Sequence, residues 1–399
     1  MDFFIGTTPQ DEPLQPVDAL FEANKKRTQR LRKKRRTRRI TMISVLAVIC
    51  VAVIVYITGL YGASLALLGD LFDSASIALS PGNGYPVDLS LTGYVTSEPL
   101  VGGFVAVGDR DAVIYSATGK LLRTIGHTYA RPCVTTGSTR VCIYNRGSVD
   151  LTVESRTRTL YTLKADDKIL LAEMSNNGTL AVATKSRLTV YDPLLTEIWY
   201  WKTSEVVMSM AFATDNKRLA AACLYTENGA LGTKLHLFDT SSTEPAATVT
   251  TIDGIPVAMK YITRNQLLVV YDNFASIYDA STGAPLYTYS YGGKTLQSVS
   301  TESGKNTVLL FSDDTHTSLT SLVVLDNQLA EIGKANVGKR TVSVSSDSLH
   351  AYVMTSDSVL TYALDGTLSG SVKYDEKPRT VLNAQQPLLI LQSSVQTIG

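Results

Sequence analysis

The chain has 399 residues, 44% of them hydrophobic and 18% charged, with a formal net charge of +1. That near-neutral total hides a split: residues 1–39 carry eleven basic and five acidic side chains, net +6, while the rest carries 26 basic and 31 acidic, net −5. The mildly acidic majority excludes nucleic acid as an expected partner, because such binding depends on neutralising phosphates with Lys and Arg.

In chain order, residues 1–24 hold three prolines and no basic residue, and are predicted to be largely disordered. Asp18 can cap a helix running into the segment that follows. Lys25 to Arg39 contains eleven Lys or Arg in fifteen residues. Immediately after it, Ile40 to Leu60 reads ITMISVLAVICVAVIVYITGL, and no charge occurs before Asp70. A helix of twenty-one residues spans about 30 Å, the hydrocarbon thickness of a bilayer. Residues 40–60 are therefore predicted to be a transmembrane signal-anchor helix. A cleaved signal peptide would have a shorter apolar core and a small-residue cleavage site, and Ala63-Ser64-Leu65-Ala66 is a poor one. Basic residues flanking a span stay in the cytoplasm. The expected topology has tail 1–39 inside, touching anionic lipid headgroups, and the remainder outside the cell membrane.

Residues 61–84 form a linker. Leu65, Leu68 and Phe72 have helical spacing, so the helix is expected to extend outward until Ser80-Pro81-Gly82-Asn83-Gly84 breaks it. From Tyr85 onward the pattern changes to short strands and tight turns. LAVAT (180–184), LTVYD (188–192), LLVVYD (267–272), TVLLF (307–311) and AYVMT (351–355) are rich in β-branched and aromatic residues. The turns before such strands fall near Gly103, Gly137, Asn177, Asn216, Asn265, Gly304, Asp347 and Gln385, at intervals of 34, 40, 39, 49, 39, 43 and 38 residues. The longest interval holds the insertion Thr226 to Thr233. A period of about forty with four strands per unit is that of a β-propeller. The fold class is all-β, an eight-bladed propeller over residues 85–399, with seven blades if a terminal unit is incomplete. The last unit supplies three strands, and Val87–Leu91 is expected to complete it and close the ring.

An aromatic residue, Asp and a turn recur at the ends of third strands, as in VYDPLLTE, LFDTSS, IYDASTGAP and YALDGT. Asp accepts hydrogen bonds from turn amides, so these carboxylates are read as structural. Trp199, Tyr200 and Trp201 alternate, sending both tryptophans to one face, where packing between blades is expected. His127, His236, His316 and His350 lie in different units without a second ligand at metal-binding spacing. Asp109-Arg110-Asp111 and Asp313-Asp314 lack the ligand alternation of a calcium loop. Asn177-Gly178-Thr179 reads as a hairpin turn rather than a glycosylation site. Cys223 is read as a core filler. Cys133 and Cys142 flank Thr136-Gly137-Ser138-Thr139, which, read as a hairpin turn, sets them directly opposite each other. A disulfide between them and two free thiols both stay open, because a direct cross-strand bridge is geometrically demanding. No catalytic, cofactor-binding or metal residues are assigned.

The turns IYDASTGAP and IYSATGK resemble those of quinoprotein-like and WD40/YVTN-type propellers. Quinone enzymes carry a docking Trp after the Thr-Gly turn, whereas the two Trp here share one unit, so no cofactor is expected. With its anchor, the chain resembles bacterial membrane-anchored propellers grouped as a domain of unknown function. The resemblance implies an architecture and no activity. The expected role is a non-enzymatic scaffold for a protein or cell-envelope partner. The alternatives are a hydrolase or lyase at the channel mouth, and a single-pass sensor.

Overall fold

The computed structural model describes residues 41–42, 44–45, 63–252, 254–302, 304–313 and 316–398. The chain divides into two units, Met1–Leu65 and Ala66–Gly399. In the first, Thr41, Met42, Ser44 and Val45 are helical and exposed. The tail 1–39 and most of the predicted span 40–60 lie outside the described residues. Among the described residues, no helix is long and apolar enough to cross a membrane.

The second unit is built on eight four-stranded antiparallel sheets. Seven are consecutive meanders, from blade one at residues 94–126 to blade seven at residues 341–373. Blade eight combines Pro378–Asn383, Pro387–Leu391 and Ser394–Thr397 with Val87–Asp88. Val87 pairs with Val395 and Asp88 with Ser394, so the two ends of the domain close one sheet. This pairing covers what would otherwise be the open edge of Ser394–Thr397 and ties the start of the ring to its end. Leu89 packs there with Phe104, Leu382 and Val395. The expected eight blades and their closing strand are both present.

Each blade runs from an innermost strand outward. The first-to-second and third-to-fourth turns therefore emerge on one face, here called lower. The second-to-third turns and the links between blades emerge on the upper face. All eight turns marked in the sequence lie on the lower face, between first and second strands. Strand alternation buries apolar residues on both sides of each sheet. In blade three, Leu180 and Val182 pack toward blade two, while Ala181 and Ala183 pack toward blade four. Such two-sided burial explains why the second strands read as continuous apolar runs.

The turn aspartates act as the sequence suggests. Asp192 accepts from the amides of Leu194 and Thr196 at 2.9 and 2.8 Å, and Asp279 from Ser281 and Thr282 at 2.8 and 2.9 Å. Asn177 caps the turn closed by Gly178, whose φ of +88° suits glycine.

The helix extends over Ala63–Leu79 and stops at Ser80-Pro81. Its Asp70 meets the lower face of blade two: Arg140 Nε donates to Asp70 Oδ2 at 2.9 Å, with both side chains almost fully buried. Arg140 also donates to the Pro193 carbonyl of blade three. Arg156 Nη2 donates to the Ser74 hydroxyl. Within the second unit, the helical turn Asp70–Ser74 thus lies against the lower face through two arginines.

Candidate functional site: the channel and one blade interface

Seven of the eight innermost strands carry a register shift near their upper ends. The unpaired residues are Val95, Leu170, Met208, Val257, Gln297, Val342 and Arg379. A bulge re-aims the side chain of its extra residue. Five of these seven are apolar, and Val95, Val257 and Val342 are 41%, 52% and 45% exposed. Close by on blade four, Val206, Leu224, Leu231 and Ile252 are also exposed, along the upper end and the long hairpin from Arg218–Glu227 to Ala230–Asp239. The upper ends of the innermost strands thus present apolar side chains, with Val95, Val257 and Val342 exposed, here called the collar, and the long hairpin of blade four turns on the same face.

The lower part of the channel has the opposite character. One tier of the innermost strands, matched through register with Val105, Cys142, Ala181, Leu268, Val308 and Tyr352, places Glu98, Thr135, Glu173, Lys260, Ser300 and Ser345 at equivalent heights. Glu302 follows two residues after Ser300. Its carboxylate accepts from the Ser345 hydroxyl, and Lys260 Nζ donates to the Thr301 carbonyl and, at 3.3 Å, to that of Glu302. Glu98, Glu173 and Lys260 are half-buried, whereas Glu302 is exposed at its surface. Burial, then the charge of Glu302, pushes Glu98 up to about 7. Burial, then the charge of Glu98, pushes Glu173 up to about 8, against a hydrogen bond from Thr135. Burial also raises Glu302 and lowers Lys260. Glu98 and Glu173 can thus hold or exchange protons near neutral pH.

A third constellation sits between blades three and four. Glu205 lies in the upper link entering blade four, Cys223 in its second strand and His236 in its third. Their ligand atoms all lie within 4.8 Å of one another. His236 Nε2 is 2.6 Å from Glu205 Oε2, and its Nδ1 is 3.0 Å from the Thr248 hydroxyl. Lys234 Nζ approaches the other carboxylate oxygen, Oε1, at 3.4 Å. Burial would raise Glu205, but the hydrogen bond and charge of His236 and the charge of Lys234 prevail and hold it below its ordinary value. Burial, aided by the Glu205 charge, pushes the Cys223 thiol well up. Linear spacing missed this grouping because three separate segments supply it; Cys223 is fully buried in the hydrophobic cluster between blades three and four, as a core filler would be.

The remaining sequence candidates have structural places. Trp199 is buried, donates from Nε1 to the Ser242 carbonyl at 2.6 Å and meets Phe238 edge-on. Trp201 packs on His236 and Phe238, while Tyr200 is exposed beneath Arg187. His127 lines a groove of about 670 Å³ on blades one and two, where Arg123 and Glu154 pair at 3.0 Å. His350 stands 3.8 Å from Asp347. The side chain of His316, and Asp314, lie outside the described residues. Cys133 and Cys142 do not face each other directly: Cys133 pairs with Tyr144 and Cys142 with Thr135. The turn is displaced from the expected position by the pairing of Thr136 with Val141, and both thiols are free.

The sequence matches the family of unknown function DUF5711 over residues 87–399, the whole closed ring. The chain belongs to DUF5711. No curated protein matches it. Among solved structures, this DUF5711 propeller is similar to BamB from Moraxella catarrhalis, at 12% identity and a TM-score of 0.55, covering 79% of this chain and 99% of that one. It is also similar to the C-terminal WD40 domain of Sif2, at 11% identity and 0.60, covering 79% and 99%. Sqt1 from Saccharomyces cerevisiae is similar at 9% identity and 0.61, covering 80% and 99%. At these identities the likeness concerns the fold of the DUF5711 chain alone.

Proposed function

We propose that the chain is a single-pass, membrane-anchored propeller, with residues 1–39 cytoplasmic and the ring outside the cell membrane, acting as a non-enzymatic scaffold for a protein or cell-envelope partner. The anchor reading rests on the basic run beside the apolar stretch 40–60, with the basic side chains at anionic headgroups. The observation that carries the scaffold reading is the apolar upper collar, because soluble surfaces seldom gather exposed apolar side chains unless something covers them. The helix occupies part of the lower face, leaving the upper face to a partner.

The test uses sealed, right-side-out membranes. Added protease should degrade the ring and spare an epitope on the tail; an accessible tail would overturn the topology. After chemical crosslinking, wild-type protein should capture a discrete partner. V257D/V342D should reduce that capture at least tenfold while E98Q leaves it unchanged. Equal capture by the collar variant would overturn the upper-face reading.

A second reading is favoured by Glu98 and Glu173. Carboxyl groups whose pKa lies near neutrality suit general acid–base work, so the lower channel could serve a hydrolase or lyase. That reading requires E98Q and E173Q to abolish a turnover and leave partner capture intact.

A further inference from the structure

We propose that Glu205, Cys223 and His236 form a binding site for a borderline-soft divalent transition metal, zinc being the fitting chemistry. A thiolate, an imidazole and a carboxylate together select such ions over calcium or magnesium, which require oxygen ligands. The three ligand atoms already converge within 4.8 Å of one another. An ion bridging Glu205 Oε2, His236 Nε2 and the Cys223 sulfur needs small rotations of side chains and no rearrangement of strands.

The surroundings suit a metal in three further ways. Thr248 holds His236 Nδ1 at 3.0 Å, the partner that orients a ligating imidazole. Lys234 engages Glu205 Oε1, leaving Oε2 to a single metal bond. Cys223 is fully buried and His236 7% exposed, whereas the Glu205 side chain is 29% exposed. The partly exposed Glu205 side is thus where an ion would enter and where a water would complete the set as fourth ligand, as in sites with three protein ligands. Binding exchanges the thiol proton for the ion and releases that proton to solvent, so the charge of the dication is met by thiolate and carboxylate.

The fold itself does not call for these residues. Positions matching His236 hold Val113 in blade one, Thr189 in blade three, Ser276 in blade five and Val323 in blade six. Those matching Cys223 hold Gly108, Thr184 and Tyr271. Blade four alone among these places an imidazole beside a thiol, against a carboxylate from its entering link.

Cobalt titration of the full chain in detergent tests the proposal. One equivalent of cobalt should develop thiolate-to-metal charge transfer and the intense d–d bands of a four-coordinate site, and one equivalent of zinc should bleach them. C223S should lose the charge-transfer band, and H236N should weaken cobalt binding at least tenfold. Absence of the bands in wild type, or their persistence in C223S, would overturn the site. Zinc-edge X-ray absorption of the wild type is independent of any folding defect in the variants. It should show a single sulfur at about 2.3 Å with nitrogen or oxygen neighbours; a shell without sulfur would equally refute the assignment.

Discussion

Glu98 and Glu173 show how one residue's environment sets pH behaviour. Both carboxyls have folded pKa values raised from 4.5, to about 7 and about 8. Such a group holds its proton more tightly in the folded state. Its contribution is therefore most favourable below the unfolded value and declines as pH rises toward the folded one. Stability should fall between about pH 5 and pH 8. E173Q should be more stable than wild type at pH 9, by about 1 kcal/mol after allowing for channel water, and equal to it at pH 4. Thermal melting across that range checks this; a parallel pH dependence in both proteins would contradict it. The turn aspartates make a separate residue-scale case. D279A removes the acceptor for two backbone amides and should cost about 1 kcal/mol in denaturant unfolding, with any activity unaffected. These turn roles were legible in the sequence because aromatic–Asp–turn patterns repeat. The channel carboxylates were not, since alternation alone does not tell which polar residue of an innermost strand stands near its neighbours across the ring.

The element that departs from the propeller pattern is the helix Ala63–Leu79. Its boundary was legible, because Ser80-Pro81 cannot continue it. Its docking was not, because Asp70, the first charge after the apolar stretch, gives no hint of Arg140 seventy positions away. Breaking a buried ion pair leaves one charge unpaired and costs about 3–5 kcal/mol. D70A should therefore release the helix, read as new protease cleavage within residues 63–84, while the melting of the ring changes little. D70L/R140M should restore protection, because apolar replacement removes both charges. If D70A leaves cleavage unchanged, the pair does not hold the helix. At the same scale, the turn between Cys133 and Cys142 was legible but its register was not. Flanking a turn symmetrically does not make two residues cross-strand partners, and a shift of two positions set Tyr144 and Thr135 opposite them.

For the whole molecule, the forty-residue period translated directly into eight sheets, because each unit must bury both faces of its sheet against its neighbours. Closure depends on Val87–Asp88, which pair with the last strand. Deleting residues 85–91 should open the ring, expose an edge of blade eight and lower the cooperativity and midpoint of unfolding; an unchanged transition would deny the closing strand its role. The Glu205–Cys223–His236 grouping also belongs to this scale in its legibility. Its members come from a link and two strands, so only the folded blade brings them together.

The scaffold reading puts a partner on the upper face. Site-specific photocrosslinking in intact cells tests it most directly, with the reactive group placed at Val95, Val257 or Val342, and at Leu286 or Leu368 on outer strands, which are also exposed. One discrete crosslinked species is expected from the three collar positions and none from the two outer ones. No species from the collar, or the same species from all five positions, would contradict it.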